Sequence, residues 1–444
     1  MEIIIHRDTE KIGGSCVELI SEQGSRIVLD IGMPLMEDDE SRFDFAEYKE
    51  LPVADLVEEG VLPDIENFYE FSEVKADSDR EVAGVLLSHS HQDHYGLVDY
   101  VHKSVPIYLS EATKELIDIT TNFTPQKVSV ENYHLFTAGK CFPCGDFKIT
   151  PYLMDHSSYD SYAFLIESDD KRIVYTGDFR GHGRTAGKLN YFLENIEPGL
   201  EGLIIEGTNL GKEKNIRTEK EIEQELTELA RGRGPILVNC SGQNIDRLIS
   251  LYRTAKKTDR IFLVDLYTAN VLKRLNNHSD SIPHPSPDFP EIKVFYSYRL
   301  KNRLLKSEQE DLVYNFDSYR MKKSQLLEQK NNIIMLVRAT MLKDLQMLGD
   351  MDADFYREAK FVYSMWDGYL QQEKYRDLKN FIEQENMGFY KIHTSGHARR
   401  SAIKRVVNKL KPQKVFPIHT MNPDEYRKLD GEIIKLKNGI SFKL

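Results

Sequence analysis

From Leu86 to His94 the chain reads Leu-Leu-Ser-His-Ser-His-Gln-Asp-His. His89, His91, Asp93 and His94 thus place three imidazoles and a carboxylate within six positions. Nitrogen from His and oxygen from Asp bind a borderline metal at about 2.0–2.2 Å. The run over 82–87 is apolar and β-prone, which puts the cluster at the end of a buried strand. His89 and His91 are two apart, so extended backbone turns both to one side. Asp93 and His94 are adjacent and must diverge. Four donors arranged in this way crowd one ion but suit two ions side by side. A fold that uses them has to bring further donors from distant strand ends.

Four such donors follow apolar runs. His156 follows 149–154, Asp178 follows Ile173-Val174-Tyr175-Thr176-Gly177, His419 follows Val415-Phe416-Pro417-Ile418, and Asp30 follows Ile27-Val28-Leu29. Taken singly, each reads as a turn residue or a strand cap. Together with the His cluster they read as the rest of a metal site.

The chain has 444 residues, too long for one small core. Its first part alternates short strands and turns, with strands over 2–6, 15–20, 25–30, 82–87, 106–109, 147–152, 161–167, 172–176 and 203–206. A helix is expected over 95–102, and the acidic stretch 37–79 reads as a surface insertion with short helices. After Gly207 the character changes. Helices over 218–231, 244–257 and 268–276 alternate with strands over 235–239 and 260–265, and buried strands follow over 293–297, 332–337 and 360–364. That alternation predicts a parallel α/β unit covered on both faces. The organisation expected is a first domain over 1–208, an inserted domain over 209–386 and a return to the first domain over 387–444.

Composition narrows the class. No window approaches 18 uncharged apolar residues, so no membrane span is expected. The N-terminus reads directly as a strand without a signal peptide, which points to the cytoplasm. Four cysteines in a chain this long are not a disulfide framework. Cys141 and Cys144 have the spacing of a redox pair or zinc knuckle, but are expected in a hairpin before the strand over 147–152. The net charge of −12 argues against indiscriminate nucleic-acid binding. Locally the balance reverses, since the stretch 391–414 holds eight Lys or Arg and no Asp or Glu. It reads either as a solvated helix face or as a surface for phosphates. Trp366, the only tryptophan, is expected to pack in a core, with base stacking as its alternative role.

The His-x-His-x-Asp-His string, the lone His156, the Thr176-Gly177-Asp178 turn and the late His419 resemble the metallo-β-lactamase superfamily. The resemblance implies an αββα sandwich with a two-metal site between the sheets. It implies one ion held by His89, His91, His156 and Asp178, and a second held by Asp93, His94, Asp178 and His419, with Asp178 bridging. Asp30 matches a residue that orients ligands. The inserted α/β segment, Glu206, the string His393-Thr394-Ser395-Gly396-His397-Ala398 and Pro417-Ile418-His419 are similar to the β-CASP branch, and the Ser395-Gly396-His397 string to its ribonuclease J group. That branch contains nucleases of RNA and DNA. The Gly-Ser-Gln-Gly-Glu-Pro and Pro-Gly-Asn strings of ribonuclease J do not occur here, and a separate C-terminal domain like that of ribonuclease J is not expected.

The chemistry agrees with the residues. A metal pair about 3.5–4 Å apart activates water and polarises a phosphodiester. The leaving oxygen needs a proton, which His397 is placed to give as general acid, with Glu206 holding its ring. Asp93 completes the catalytic set. Ser395, Gly396 and His393 are the expected substrate contacts, with Gly396 letting backbone approach an anion closely. The expectation is a two-metal hydrolase of RNA, with zinc preferred to manganese. A DNA nuclease, or a hydrolase of a small nucleotide or ester, is the alternative; a homo-oligomer stays open.

Overall fold

The computed structural model describes residues 1–37, 41–69, 81–124, 127–212 and 216–444. The expected insertion over 37–79 lies partly outside them; within them it contains the 3-10 turn Phe45–Glu47 and the helix Val53–Glu58. Contacts divide the chain into two units. The first comprises Met1–Asp118, Gln126–Lys214 and Gly396–Leu444, the second Ile119–Pro125 and Asn215–Ser395.

Two seven-stranded sheets build the first unit. One runs in the order Ser441–Lys443, Glu2–Arg7, Cys16–Ile20, Arg26–Leu29, Val82–Leu86, Ile107–Leu109, Tyr133–Leu135. The other runs Glu432–Ile433, Lys414–Ile418, Gly202–Glu206, Lys171–Tyr175, Ser161–Ser168, Phe147–Met154, Phe142–Cys144. Strand side chains alternate between faces, and both faces are apolar. Ile27, Leu29 and Leu86 join Phe164, Tyr175, Ile204 and Phe416 in one core between the sheets. Val28, Val85 and Leu87 face Leu56 and Ile117 on the outer side. Val174, Leu203 and Val415 face Phe192, Leu193, Ile403 and Val407 on the other. Helices on both outer faces of two packed sheets make the four-layered αββα sandwich, as expected.

The expected helix over 95–102 is not formed. A short helix Gln92–Tyr95 and a 3-10 turn Val98–Tyr100 take its place. The backbone bonds explain the difference. The carbonyls of Gln92, Asp93 and His94 accept N–H groups from Met33, Ser15 and Ile31, at 2.9, 3.0 and 2.8 Å. These bonds tie the ligand loop to the strand end at Asp30. Gly32 is required at that junction, since a Cβ there would overlap the Asp93 carbonyl. The Cys141–Cys144 segment lies where expected, with Phe142–Cys144 pairing antiparallel to Phe147–Met154, and both thiols are free.

The second unit contains a six-stranded parallel sheet in the order Ile292–Phe295, Ile261–Asp265, Ile333–Leu336, Ile236–Asn239, Lys360–Tyr363, Gly388–Lys391. One face packs Leu237, Leu263, Met335 and Phe361 against Leu345, Leu348, Phe381 and Ile382. Val238, Phe262 and Val264 on the other face are also buried, so both faces are covered. Because Gly388–Lys391 pairs with Lys360–Tyr363, the chain returns to the first unit at Gly396 rather than near 387. Trp366 is 53% exposed rather than packed in a core.

Arg247 anchors this unit. It is fully buried and bonds both oxygens of the buried Glu219, at 2.8 and 3.2 Å, together with Ser364 and the carbonyl of Ile392. Removing one partner of such a pair strands the other charge in a low dielectric, a loss of about 3–5 kcal/mol. Arg247→Ala is therefore expected to lower the unfolding free energy by that amount. Urea unfolding followed through Trp366 emission measures it, and a loss below about 1 kcal/mol would refute the anchoring role.

Candidate metal centre

The site lies at the ends of the first unit's strands. His89 is three residues past Leu86, His156 two past Met154, Asp178 three past Tyr175, and His419 directly follows Ile418. Parallel pairing sets Glu206 opposite Ile418, next to His419. Tight turns present the donors, with positive φ at Gly177 (51°), Asp30 (59°) and His419 (52°).

The donor atoms converge. His91 Nδ1 lies 3.1 Å from both His89 Nε2 and His156 Nε2. Asp178 Oδ2 is 3.2 Å from His94 Nε2, 3.8 Å from His419 Nε2 and 4.0 Å from His89 Nε2. His419 Nε2 is 3.4 Å from Asp93 Oδ2. His89–His91–His156, His89–His94–Asp178 and Asp93–His94–His419 each keep their ligand atoms within 4.8 Å of one another.

On four of these rings the opposite nitrogen is engaged. Nδ1–H of His94 donates to Asp30 at 2.8 Å, that of His89 to Ser88 Oγ at 3.0 Å, that of His156 to the Gly396 carbonyl at 2.7 Å and that of His419 to Thr208 Oγ1 at 2.7 Å. On His89 and His156, whose rings burial keeps neutral, the outward proton leaves the inward Nε2 a lone pair. These two atoms and His91 Nδ1, crowded together, repel unless a cation lies among them. Tetrahedral coordination at the usual zinc–nitrogen length spaces them about 3.3 Å apart, close to the spacing found. His94 Nε2 and Asp178 Oδ2 are buried and make no hydrogen bond among the described residues. The donor set fits a divalent metal.

Asp30 organises one side of the centre. Its carboxylate accepts the backbone N–H and hydroxyl of Ser88 and the hydroxyl of Tyr175, each at 2.7 Å, besides the His94 ring. Charge divides the donors. Burial, with neighbouring rings, holds His89 and His156 well below the usual imidazole range. Burial also opposes charge on His419, but Asp178, Asp8 and Asp93 outweigh it and raise its pKa to about 10. Asp178 is held well below the carboxylate range; burial is overcome by His419, His94 and His397.

Glu206 and His397 join this centre, but not as the expected pair. His397 Nδ1 lies 3.5 Å from Asp178 Oδ2 and 3.8 Å from Glu206 Oε1, beyond a hydrogen bond to Glu206. The Glu206 carboxylate instead accepts the N–H groups of Ala398 at 2.8 Å and Thr208 at 2.9 Å. Burial and Asp178 push its pKa up to about 7, while burial takes that of His397 down to about 3. His397 also reaches ligating range, grouped with His156 and Asp178 and with Glu206 and His419. Gly396 packs on the ligand loop, since a Cβ there would stand 2.6 Å from Ser157 Oγ. His393 and Ser395 belong to the second unit. There the His393 carbonyl accepts from Arg217 at 3.2 Å, and burial with Arg247 takes its ring to about 3.

Sequence reasoning missed the residues that hold these groups in place. Asn209 Nδ2 donates to the carbonyls of His397 and Ala398 at 3.0 and 3.2 Å. Asp155 ties the His156 turn to the loop after Asp178 by accepting from Arg180, Gly183 and Thr185 at 3.2, 2.8 and 3.1 Å. Asp8 has φ 85°, accepts Ser15 Oγ at 2.6 Å and carries a pKa raised by burial to about 7; its carbonyl accepts the His419 N–H at 2.9 Å. The one available signal was position: Asp8 and Asn209 follow strands as the ligands do.

Known proteins share these features. A beta-lactamase superfamily domain matches residues 63–195, and a Zn-dependent metallo-hydrolase RNA specificity domain matches residues 386–426. Ribonuclease J of Sinorhizobium meliloti is 21% identical over 388 residues, 83% of this chain and 61% of that protein. Ribonuclease J 2 of Streptococcus pyogenes is 24% identical over 368 residues, 79% of this chain and 60% of that protein. Ribonuclease J of Helicobacter pylori is 21% identical over 420 residues, 92% and 54% of the two chains. The chain therefore spans 54–61% of the length of these three relatives. A crystal structure of an Enterococcus faecalis V583 protein of unknown function has the same fold, with a TM-score of 0.79 and 20% identity, covering 100% of this chain and 99% of that one. With a strand-end His/Asp centre in an αββα sandwich and an α/β unit inserted in chain order before His419, the chain has the metallo-β-lactamase fold and is similar to the ribonuclease J proteins.

Proposed function

We propose that the protein is a metal-dependent nuclease that hydrolyses phosphodiester bonds of RNA. One observation carries this reading: four imidazoles, those of His89, His94, His397 and His419, lie within 4.0 Å of Asp178 Oδ2, inside a complete His/Asp donor set. In this reading two divalent ions bind, zinc in preference to manganese. His89, His91, His156 and Asp178 hold one, and Asp93, His94, Asp178 and His419 hold the other. When bound, the ions supply Lewis acidity to the phosphoryl group and activate water near neutral pH.

The chain's own residues do the rest. Asp93 orients the reacting water and takes its proton. Beside the negative phosphodiester, His397 gains the proton that burial alone keeps off it and offers that proton at Nδ1 to the leaving oxygen. Glu206 acts through backbone, fixing Ala398 and so the approach of His397. Gly396, Ser395 and His393 contact the substrate. The names of the relatives and the RNA specificity domain over 386–426 support RNA in preference to DNA. The first unit acts as the hydrolase core, and the second, Ile119–Pro125 with Asn215–Ser395, as its cap. Among the described residues no helix is long and apolar enough to cross a membrane. A cytoplasmic location, with homo-oligomers open, completes the proposal.

Labelled RNA and DNA incubated with the protein test the reading. RNA cleavage is expected, lost with chelator and regained with zinc or manganese. Absence of metal-dependent cleavage of either polymer overturns it. His397→Ala is expected to lower kcat about 10²–10⁴-fold, as for loss of a general acid, with bound metal unchanged by elemental analysis. Asp30→Asn removes the acceptor that orients His94. It is expected to weaken metal affinity about 10–100-fold in competition with a chromogenic chelator; unchanged affinity would remove Asp30 from the metal's support.

A further inference from the structure

All six strands of the second unit's sheet run parallel, so their carboxyl ends form one rim. Ligands of open α/β sheets bind along that rim. Here it carries two aromatic side chains exposed to solvent. Tyr298 stands three residues past the strand Ile292–Phe295 and is 72% exposed, the highest value among the exposed large hydrophobic residues described. Trp366 stands three residues past Lys360–Tyr363 and is 53% exposed. Their strands are first and fifth in the order. Four interstrand steps of about 4.8 Å set the two positions about 19 Å apart along the rim.

Both rings project from fixed backbone. The Tyr298 N–H donates to the Asp344 carboxylate at 3.2 Å at the start of the helix Tyr298–Lys306. The Trp366 carbonyl accepts the Tyr363 hydroxyl at 2.7 Å, and its indole meets Tyr369 edge-on at 5.4 Å. That indole lies over Gly368, where a Cβ would overlap it. The Trp366 indole, a large exposed ring held in one orientation, points to a flat partner.

Charge identifies the partner. The helix Tyr298–Lys306 carries Arg299, Lys301, Arg303 and Lys306 and no acid. Arg299, Lys301 and the exposed Lys343, next to Asp344, form no ion pair among the described residues. Between the two rings, Arg338 pairs with Asp265 and its guanidinium lies 5.4 Å from the Tyr267 ring. In a chain of net charge −12, cations concentrated beside exposed rings fit a polyanion that also has flat faces. An acidic peptide would use the cations and leave the rings bare.

We propose that this rim is a platform for single-stranded nucleic acid, with bases stacking on Trp366 and Tyr298 and phosphates meeting Arg299, Lys301 and Lys343. The choice of RNA as its ligand rests on the ribonuclease reading; the platform itself does not. Every base has a π-face, so the platform selects single strands over duplex and not one sequence over another.

Trp366 is the only tryptophan, so its emission reports occupancy directly. The intact protein, held in chelator to stop cleavage, is titrated with a short single-stranded RNA, the matching DNA and the blunt RNA duplex. Saturable quenching by the single strands and none by the duplex is expected. Equal quenching by DNA keeps the platform and removes a preference for the ribose. Trp366→Ala and Tyr298→Ala are each expected to weaken anisotropy-measured affinity about tenfold, with Trp366→Phe restoring most of the loss. The double variant Arg299→Gln/Lys301→Gln is expected to reduce the salt slope of log affinity by about 1.4, two phosphate contacts on a single strand. Hydrolysis of bis(p-nitrophenyl) phosphate by the metal-loaded variants stays at the parent rate. RNA that binds without changing Trp366 emission, while both alanine variants bind like the parent, overturns the platform alone. RNA that quenches Trp366 but is never cleaved with metal present overturns the ribonuclease reading alone.

Discussion

Asp178 puts one carboxylate oxygen within 4.0 Å of four imidazole nitrogens and gives it no hydrogen bond among the described residues. Asp178 is buried, so its negative charge has little solvent to relax into. Much of the first unit serves to keep that charge in place. Two sheets pack through Ile27, Leu86, Tyr175 and Phe416, bringing strand ends from both layers to one point. Outward Nδ1 partners then fix four rings so that their other nitrogens turn inward. An orphaned carboxylate and crowded lone pairs are two halves of one electrostatic problem, and a divalent cation solves both.

The candidate donors were legible in the sequence because strand ends announce themselves: an apolar run stops and a His or Asp follows. All seven predicted ligands fall within the cluster. The supports were not legible, because Asp155, Thr208, Asn209 and Asp8 act through single hydrogen bonds to backbone or to one another's loops, which leave no periodic trace. The helix expected over 95–102 failed for a related reason. The carbonyls of residues 92–94 are claimed by N–H groups 59 to 78 positions earlier, partners that local pattern cannot reveal. Trp366 failed through residue type: a large apolar ring reads as core, and exposure depends on what the fold leaves uncovered.

Glu206 illustrates how a correct position can have a different use. Its place beside His419 follows from parallel pairing with Lys414–Ile418. A buried carboxylate near His397 suggests a ring-orienting partner, yet its oxygens hold two backbone amides. The precision it confers is therefore on the path of the chain through Ala398, and His397 inherits that precision.

His419 lies on the far side of the inserted unit in chain order, while the other six ligands precede it. During synthesis a growing chain thus holds most of the candidate donor set for the whole time that the insertion is being made. Its exposed histidines can capture ions early, but the set closes only when Lys414–Ile418 adds beside Gly202–Glu206. That late, long-range pairing is costly in loop entropy. Completion of the centre is thereby tied to completion of the chain through His419, and a truncated product keeps ligands without acquiring the finished site.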